Sequence, residues 1–194
     1  TRLSLQLAKN VLNDFNDGVF FFLLSSLHDA KLVSTTIAKT LDLEGKLESF
    51  LRDKQMLLVL DNLEQLLEAA KQLVALLGHC PKLKILVTSR TVFHVRGEHE
   101  IKVPPLEIPK NTTALSDLAQ SPALELFRQR AKAVDVNFEL TPNNISDVAE
   151  LCKHLDGLPL AIELAAARSK LFSPASLLKR LEQRFSLLKD GPSD

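Results

Sequence analysis

The sequence predicts an α/β unit followed by an all-α unit, and three observations carry that prediction. Short, continuous apolar runs alternate with helical patterns over residues 1 to about 110; the runs stop after 111; every later segment has helical spacing alone. Continuous apolarity suits strands covered on both faces, as in parallel sheets flanked by helices. The first half therefore reads as strand, helix, strand, helix in a doubly wound sheet. The expected domains are 1–110 and 111–194.

The chain opens inside a helical pattern. Leu3, Leu7, Ala8, Val11, Leu12 and Phe15 form one apolar stripe, with only Thr1 available as a cap. "GVFFFLLS" (Gly18 to Ser25), "QMLLVLD" (Gln55 to Asp61) and "KILVTSR" (Lys84 to Arg90) are the strand candidates, and "HEIKVPPL" is a fourth, ended by Pro104 and Pro105. Between them lie helical patterns over Ala30 to Leu41 and over Leu63, Leu66, Leu67, Ala70, Leu73, Val74 and Leu77. After "NTTALSDLAQ" come four helices. The first has Ser121 as cap and Pro122 at its first position, with Leu124, Phe127, Ala131 and Val134 inward. The second turns Ile145, Val148, Ala149, Cys152 and Leu155 inward and stops at Gly157. "PLAIELAAAR" is apolar on nearly every side and reads as a buried central helix. "SPASLLKRLEQRFSLL" again begins Ser-Pro, with Leu177, Leu178, Leu181, Phe185 and Leu188 on one face.

Composition bounds the function. The 194 residues balance 24 basic against 24 acidic side chains, which does not favour a polyanionic partner, and no basic arm or recognition helix stands out. No apolar run approaches a membrane span, and a cytoplasmic setting is expected. Two distant cysteines, Cys80 and Cys152, in apolar surroundings fit buried thiols in a reducing compartment. His79 and Cys80 are adjacent and His94 and His99 are five apart, so no ligand pair with metal-site spacing exists. There is no GxSxG elbow and no GxGxxG dinucleotide loop.

In open α/β sheets, ligands bind at the carboxyl ends of the strands, so the residues closing each run matter most. "LLVLD" ends in Asp61, followed by Asn62 and Glu64. A carboxylate there can hold Mg²⁺ beside a polyphosphate, or, with Glu64 three residues on, simply cap the next helix. "LVTSR" puts Thr88, Ser89 and Arg90 at the same rim, where a guanidinium reads a phosphate in bidentate fashion or serves a surface ion pair. Gly157, Leu158 and Pro159 form either a tight helix–helix turn or a turn presented to a ligand.

"LLVLDNLEQL", "ILVTSR" and "LDGLPLAIELAAAR", in this order, resemble the nucleotide-binding core of the STAND class of P-loop ATPases. The likeness is closest to the ATPase modules of large bacterial transcriptional regulators, related to the NB-ARC domains of plant resistance and apoptotic proteins, and it covers essentially the whole chain. The resemblance implies a P-loop NTPase-type parallel sheet, its first strand missing, followed by a four-helix lid. It implies that Asp61 is the Walker B carboxylate on Mg²⁺, and that Thr1 is the last hydroxyl residue of the phosphate loop, also on the metal, with Arg2 and Leu3 starting the helix behind it. Arg90 would be the sensor of the γ-phosphate, and Pro159, within Gly157–Leu158–Pro159, would pack on the adenine. The implied ligand is ATP or ADP with Mg²⁺, bound between core and lid; the partners are sensor and effector domains outside the chain, with nucleotide-gated self-association.

Two departures qualify the expectation. Asn62 stands where many such ATPases have the Glu that orients water, leaving Glu64 as the substitute base; slow hydrolysis and a switch role are expected. No GxxxxGK occurs in the chain, whose six glycines are scattered singly. The chain is thus expected to be a fragment, or its loop unordered or lost, and to bind nucleotide poorly alone because the amide cradle and lysine supply much of the phosphate affinity. The rival expectation is a nucleotide-independent interaction scaffold.

Overall fold

The computed structural model describes residues 1–108, 118 and 120–189. The chain divides into two compact units, Thr1–Ile101 and Lys102–Asp194. The described residues hold α-helices and a three-stranded parallel sheet.

In the first unit, α1 (Arg2–Asn10) and a 3₁₀ turn at Leu12–Asp14 lead to β1 (Val19–Leu23). Next come α2 (Leu32–Thr40), α3 (Leu47–Leu51) and β2 (Leu57–Asp61). A 3₁₀ turn at Leu63–Gln65, α4 (Ala69–His79) and β3 (Lys84–Val87) complete it. The sheet order is β1-β2-β3, with Phe21 opposite Val59 and Val59 opposite Leu86. All three apolar runs therefore become strands, joined by the crossovers that parallel pairing requires. Every residue of β2 is buried, as a central strand covered on both faces must be. One face carries the main core, with Phe22, Ile37, Leu51, Leu58, Leu60 and Leu73.

The other face shows where the periodicity misleads. Of the apolar stripe, Ala8 is buried and Val11 and Phe15 are half-buried, but Leu3, Leu7 and Leu12 are exposed, and Ser4 is buried beside Ala8. Small residues let the helix backbone approach Leu57 and Val59 closely, which outweighs the larger apolar area of the leucines. The fourth strand candidate also fails. Residues 99–108 form no strand, because Pro104 and Pro105 lack the N–H a ladder needs.

That segment joins the second core instead. Leu106 and Ile108 pack against its apolar cluster, and Ser121 Oγ donates to Glu107 O at 2.8 Å. This is why the division falls at 101/102 rather than near 110, and why the Ser121 hydroxyl does not cap its own helix. The second unit holds α5 (Pro122–Val134), α6 (Ile145–His154), α7 (Pro159–Ala166) and α8 (Pro174–Lys189). Its core is Leu124, Phe127, Ala131, Val148, Cys152 and Ile162, with Phe127 tilted against Phe138 at 5.8 Å between centroids. The four helices appear as expected, though Val134 is exposed. The Phe185 and Leu188 side chains, and most of "NTTALSDLAQ", lie outside the described residues. The reading of α7 as a buried central helix is corrected. Only Ile162 and Ala166 are buried, while Leu160 and Leu164 are 67% and 62% exposed. Its composition was apolar all round, but a helix touching neighbours on one side buries one side.

The end of α6 departs from the expected glycine stop. Gly157 N–H donates to Cys152 O and Asp156 N–H to Lys153 O, the paired bonds of a Schellman turn. The left-handed residue just past the cap is Asp156, at φ 53, with Gly157 following at φ 65. Aspartate tolerates this region less well than glycine. Asp156→Gly is therefore expected to stabilise the second unit by roughly 0.5–1 kcal/mol. Urea unfolding followed by circular dichroism checks this; a lower midpoint would show that the aspartate side chain earns its place by other means.

Candidate functional site

The carboxyl ends of β2 and β3 meet the start of α1 at one rim. Asp61, the last residue of β2, is 2% exposed. Thr1 Oγ1 donates to its Oδ2 at 2.6 Å, and Thr88 Oγ1, just past β3, donates to its Oδ1 at 2.7 Å. Thr1 O accepts from Leu5 N–H and from Ser4 Oγ, which fixes the first turn of α1 against this carboxylate. Burial pushes the Asp61 carboxyl up, while the hydrogen bonds from the Thr1 and Thr88 hydroxyls pull it down, and the group lies below its ordinary value. Asp61 is ionised at neutral pH.

These contacts exclude the capping reading of Asp61. Neither of its oxygens caps the following turn; that turn's N-cap position falls to Asn62, without a side-chain bond. Asn62 is left-handed, at φ 68, and its N–H donates to Thr88 Oγ1 at 3.0 Å. Strained non-glycine backbone of this kind persists where surrounding bonds over-determine it. Glu64 does not reach back to complete a capping box either. It is paired with Arg90, Nε to Oε1 at 3.5 Å, with Arg90 90% exposed and Glu64 only 18%. Such an exposed ion pair is weak and easily given up to a competing anion.

Of the residues singled out in the sequence, the first unit brings Thr1 and Asp61 into direct contact and sets Glu64 against Arg90 nearby. Arg2 is exposed in the first turn of α1. Gly157, Leu158 and Pro159 belong to the second unit: Leu158 is half exposed at the N-cap of α7 and Pro159 is its first residue. The turn is fastened to the chain entering that unit, since Leu106 N–H donates to Gly157 O at 2.9 Å. Thr88, which the sequence puts at the rim without a role, makes the second contact to Asp61; a hydroxyl closing an apolar strand beside an acidic strand end is the signal that points to it. Among the described residues no group of three or more His, Cys, Asp or Glu could hold a metal, and no helix is long and apolar enough to cross a membrane.

No protein-family model matches the chain. It is 37% identical, over 98% of its length, to proteins of Mycobacterium tuberculosis and Mycobacterium bovis named "Putative HTH-type transcriptional regulator". It spans 21% of those relatives. An uncharacterized protein of Mycobacterium tuberculosis is 35% identical over 97% of this chain and 47% of its own length. The likeness runs the length of the chain, which is about a fifth to a half of the relatives it matches.

Proposed function

We propose that this chain is a nucleotide-dependent signalling switch of the STAND ATPase class, acting within a transcriptional regulator. The observation that carries the reading is the 2.6 Å contact between the Thr1 hydroxyl and the ionised, buried Asp61, 60 residues apart, at the carboxyl end of the sheet. A hydroxyl beside a carboxylate suits Mg²⁺, which takes one or two protein oxygens and completes its shell with phosphate and water oxygens. Arg90, held only by an exposed pair, is free to turn to a terminal phosphate.

Hydrolysis would be slow. The carboxamide of Asn62 takes no proton and its backbone N–H is committed to Thr88, which leaves Glu64 to orient water, and only once Arg90 has turned away from it. The difference between ATP and ADP then carries the signal, and effector domains read it. That relatives are named as transcriptional regulators supports a regulatory setting for this switch.

Calorimetric titration of ADP and ATP, with and without Mg²⁺, tests the reading. It should be run on this chain and on a form carrying whatever residues its gene encodes before Thr1. Weak binding by the first and Mg²⁺-dependent micromolar binding by a form with a phosphate loop are expected. No binding by either form at millimolar nucleotide would leave the interaction-scaffold reading in its place.

A further inference from the structure

Four hydrogen bonds between the end of β2 and the end of β3 pass through Thr88. Its N–H donates to Leu60 O at 3.0 Å, and its carbonyl accepts from Leu63 N–H at 3.1 Å. Its Oγ1 accepts from Asn62 N–H at 3.0 Å and donates to Asp61 Oδ1 at 2.7 Å. A hydroxyl has one proton, here committed to the carboxylate, and the Asn62 amide fills a lone pair, so the rotor is fixed from both sides. The same group thereby holds Asn62 in its left-handed conformation and aims the carboxylate that precedes it. Two residues beyond Thr88 is Arg90, whose partner Glu64 lies three residues beyond Asp61. The segments 61–64 and 88–90 are thus fastened by the part-buried Thr88 hydroxyl, by the backbone bond from Leu63 to Thr88 and by a loose surface ion pair.

We infer that Thr88 is the positioning residue of this rim: its hydroxyl fixes the direction of the Asp61 carboxylate and makes it follow the segment that carries Arg90. An anion that draws Arg90 away from Glu64, such as the terminal phosphate of a nucleoside triphosphate, is thereby felt at Asp61. This inference rests on the nucleotide reading of the same site. It predicts that ATP and ADP are told apart through Thr88, although Thr88 itself touches neither.

Valine and serine separate this role from a structural one. Thr88→Val keeps the branched shape and both backbone bonds but removes the hydroxyl; Thr88→Ser keeps the hydroxyl. Amide hydrogen exchange gives the first readout, with no nucleotide present. In Thr88→Val the Asn62 amide is expected to exchange at least about tenfold faster, while the Leu63 amide, bonded to the Thr88 carbonyl, changes less than about threefold. Thr88→Ser should match the parent protein at both. The second readout is the ratio of ATP to ADP affinity with Mg²⁺, in whichever form binds nucleotide. Thr88→Val should lower that ratio about tenfold and Thr88→Ser should restore it. Unchanged Asn62 exchange in Thr88→Val, or an equal loss for both nucleotides, overturns the inference while leaving the nucleotide reading standing. Failure of the parent protein to bind either nucleotide overturns the reading itself, and this inference with it.

Discussion

Gly157→Ala is expected to lower the stability of the second unit by about 3 kcal/mol, a fall in melting temperature of roughly 10–20 °C for a unit of this size. A Cβ on residue 157 would stand 2.3 Å from Leu106 O and 3.3 Å from its carbonyl carbon. The obstacle is backbone, so no side-chain rotation relieves it. It is also held in place, because Leu106 N–H donates to Gly157 O and the Leu106 side chain packs in the core. The φ of 65° adds the left-handed penalty of about 1–2 kcal/mol. Displacing Leu106 would relieve the clash but forfeit its hydrogen bond, worth about 1 kcal/mol. The neighbouring Asp156→Gly acts on the same turn with opposite sign, so the pair separates backbone conformation from close approach. Thermal unfolding by circular dichroism reads both. A loss under about 1 kcal/mol for Gly157→Ala would mean that residues 102–108 yield freely and that the turn is not fastened to them.

The strands were legible because a buried parallel strand writes itself as unbroken apolar sequence, and "LLVLD" is buried throughout. What the sequence does not write is which side of an amphipathic helix wins when close approach competes with apolar area. In α1 Ser4 is buried beside Ala8 of the stripe, while the stripe's Leu3 and Leu7 stay exposed. The opposite error arises in α7, where Leu160 and Leu164 raise the apolar count without being buried. At the site, Asp61 could be located by its position at a strand end, but its partners could not. Thr1 and Thr88 are 60 and 27 residues away, and only the sheet and the first turn of α1 bring their hydroxyls to its two oxygens. The Asp61–Glu64 spacing suggested a capping box, yet the left-handed Asn62 turns the chain so that both carboxylates find other partners.

Asp61→Ala is expected to weaken Mg²⁺-dependent ATP binding about a hundredfold, roughly 3 kcal/mol, and ADP binding less. If Asp61 holds the Mg²⁺ of the nucleotide reading, its loss would cost the more highly charged triphosphate more than the diphosphate. The substitution also leaves the Thr1 and Thr88 hydroxyls without their acceptor, at a cost of about 1–3 kcal/mol to stability. Asp61→Asn separates these two consequences. Its amide keeps the shape and one acceptor oxygen, so most of the fold stability should persist, while the charge proposed to attract the metal is gone. The pH dependence supplies an independent check. Because the folded Asp61 carboxyl lies below its ordinary value, it contributes stability that is present above the unfolded-state pKa, near 4. That contribution is lost as pH falls through the lower, folded value. The stability gap between parent and Asp61→Asn should accordingly be full at neutral pH and close below about pH 4. Should both variants bind ATP and ADP within twofold of the parent while losing stability, Asp61 is a fastener joining α1 to two strands, and the metal role falls.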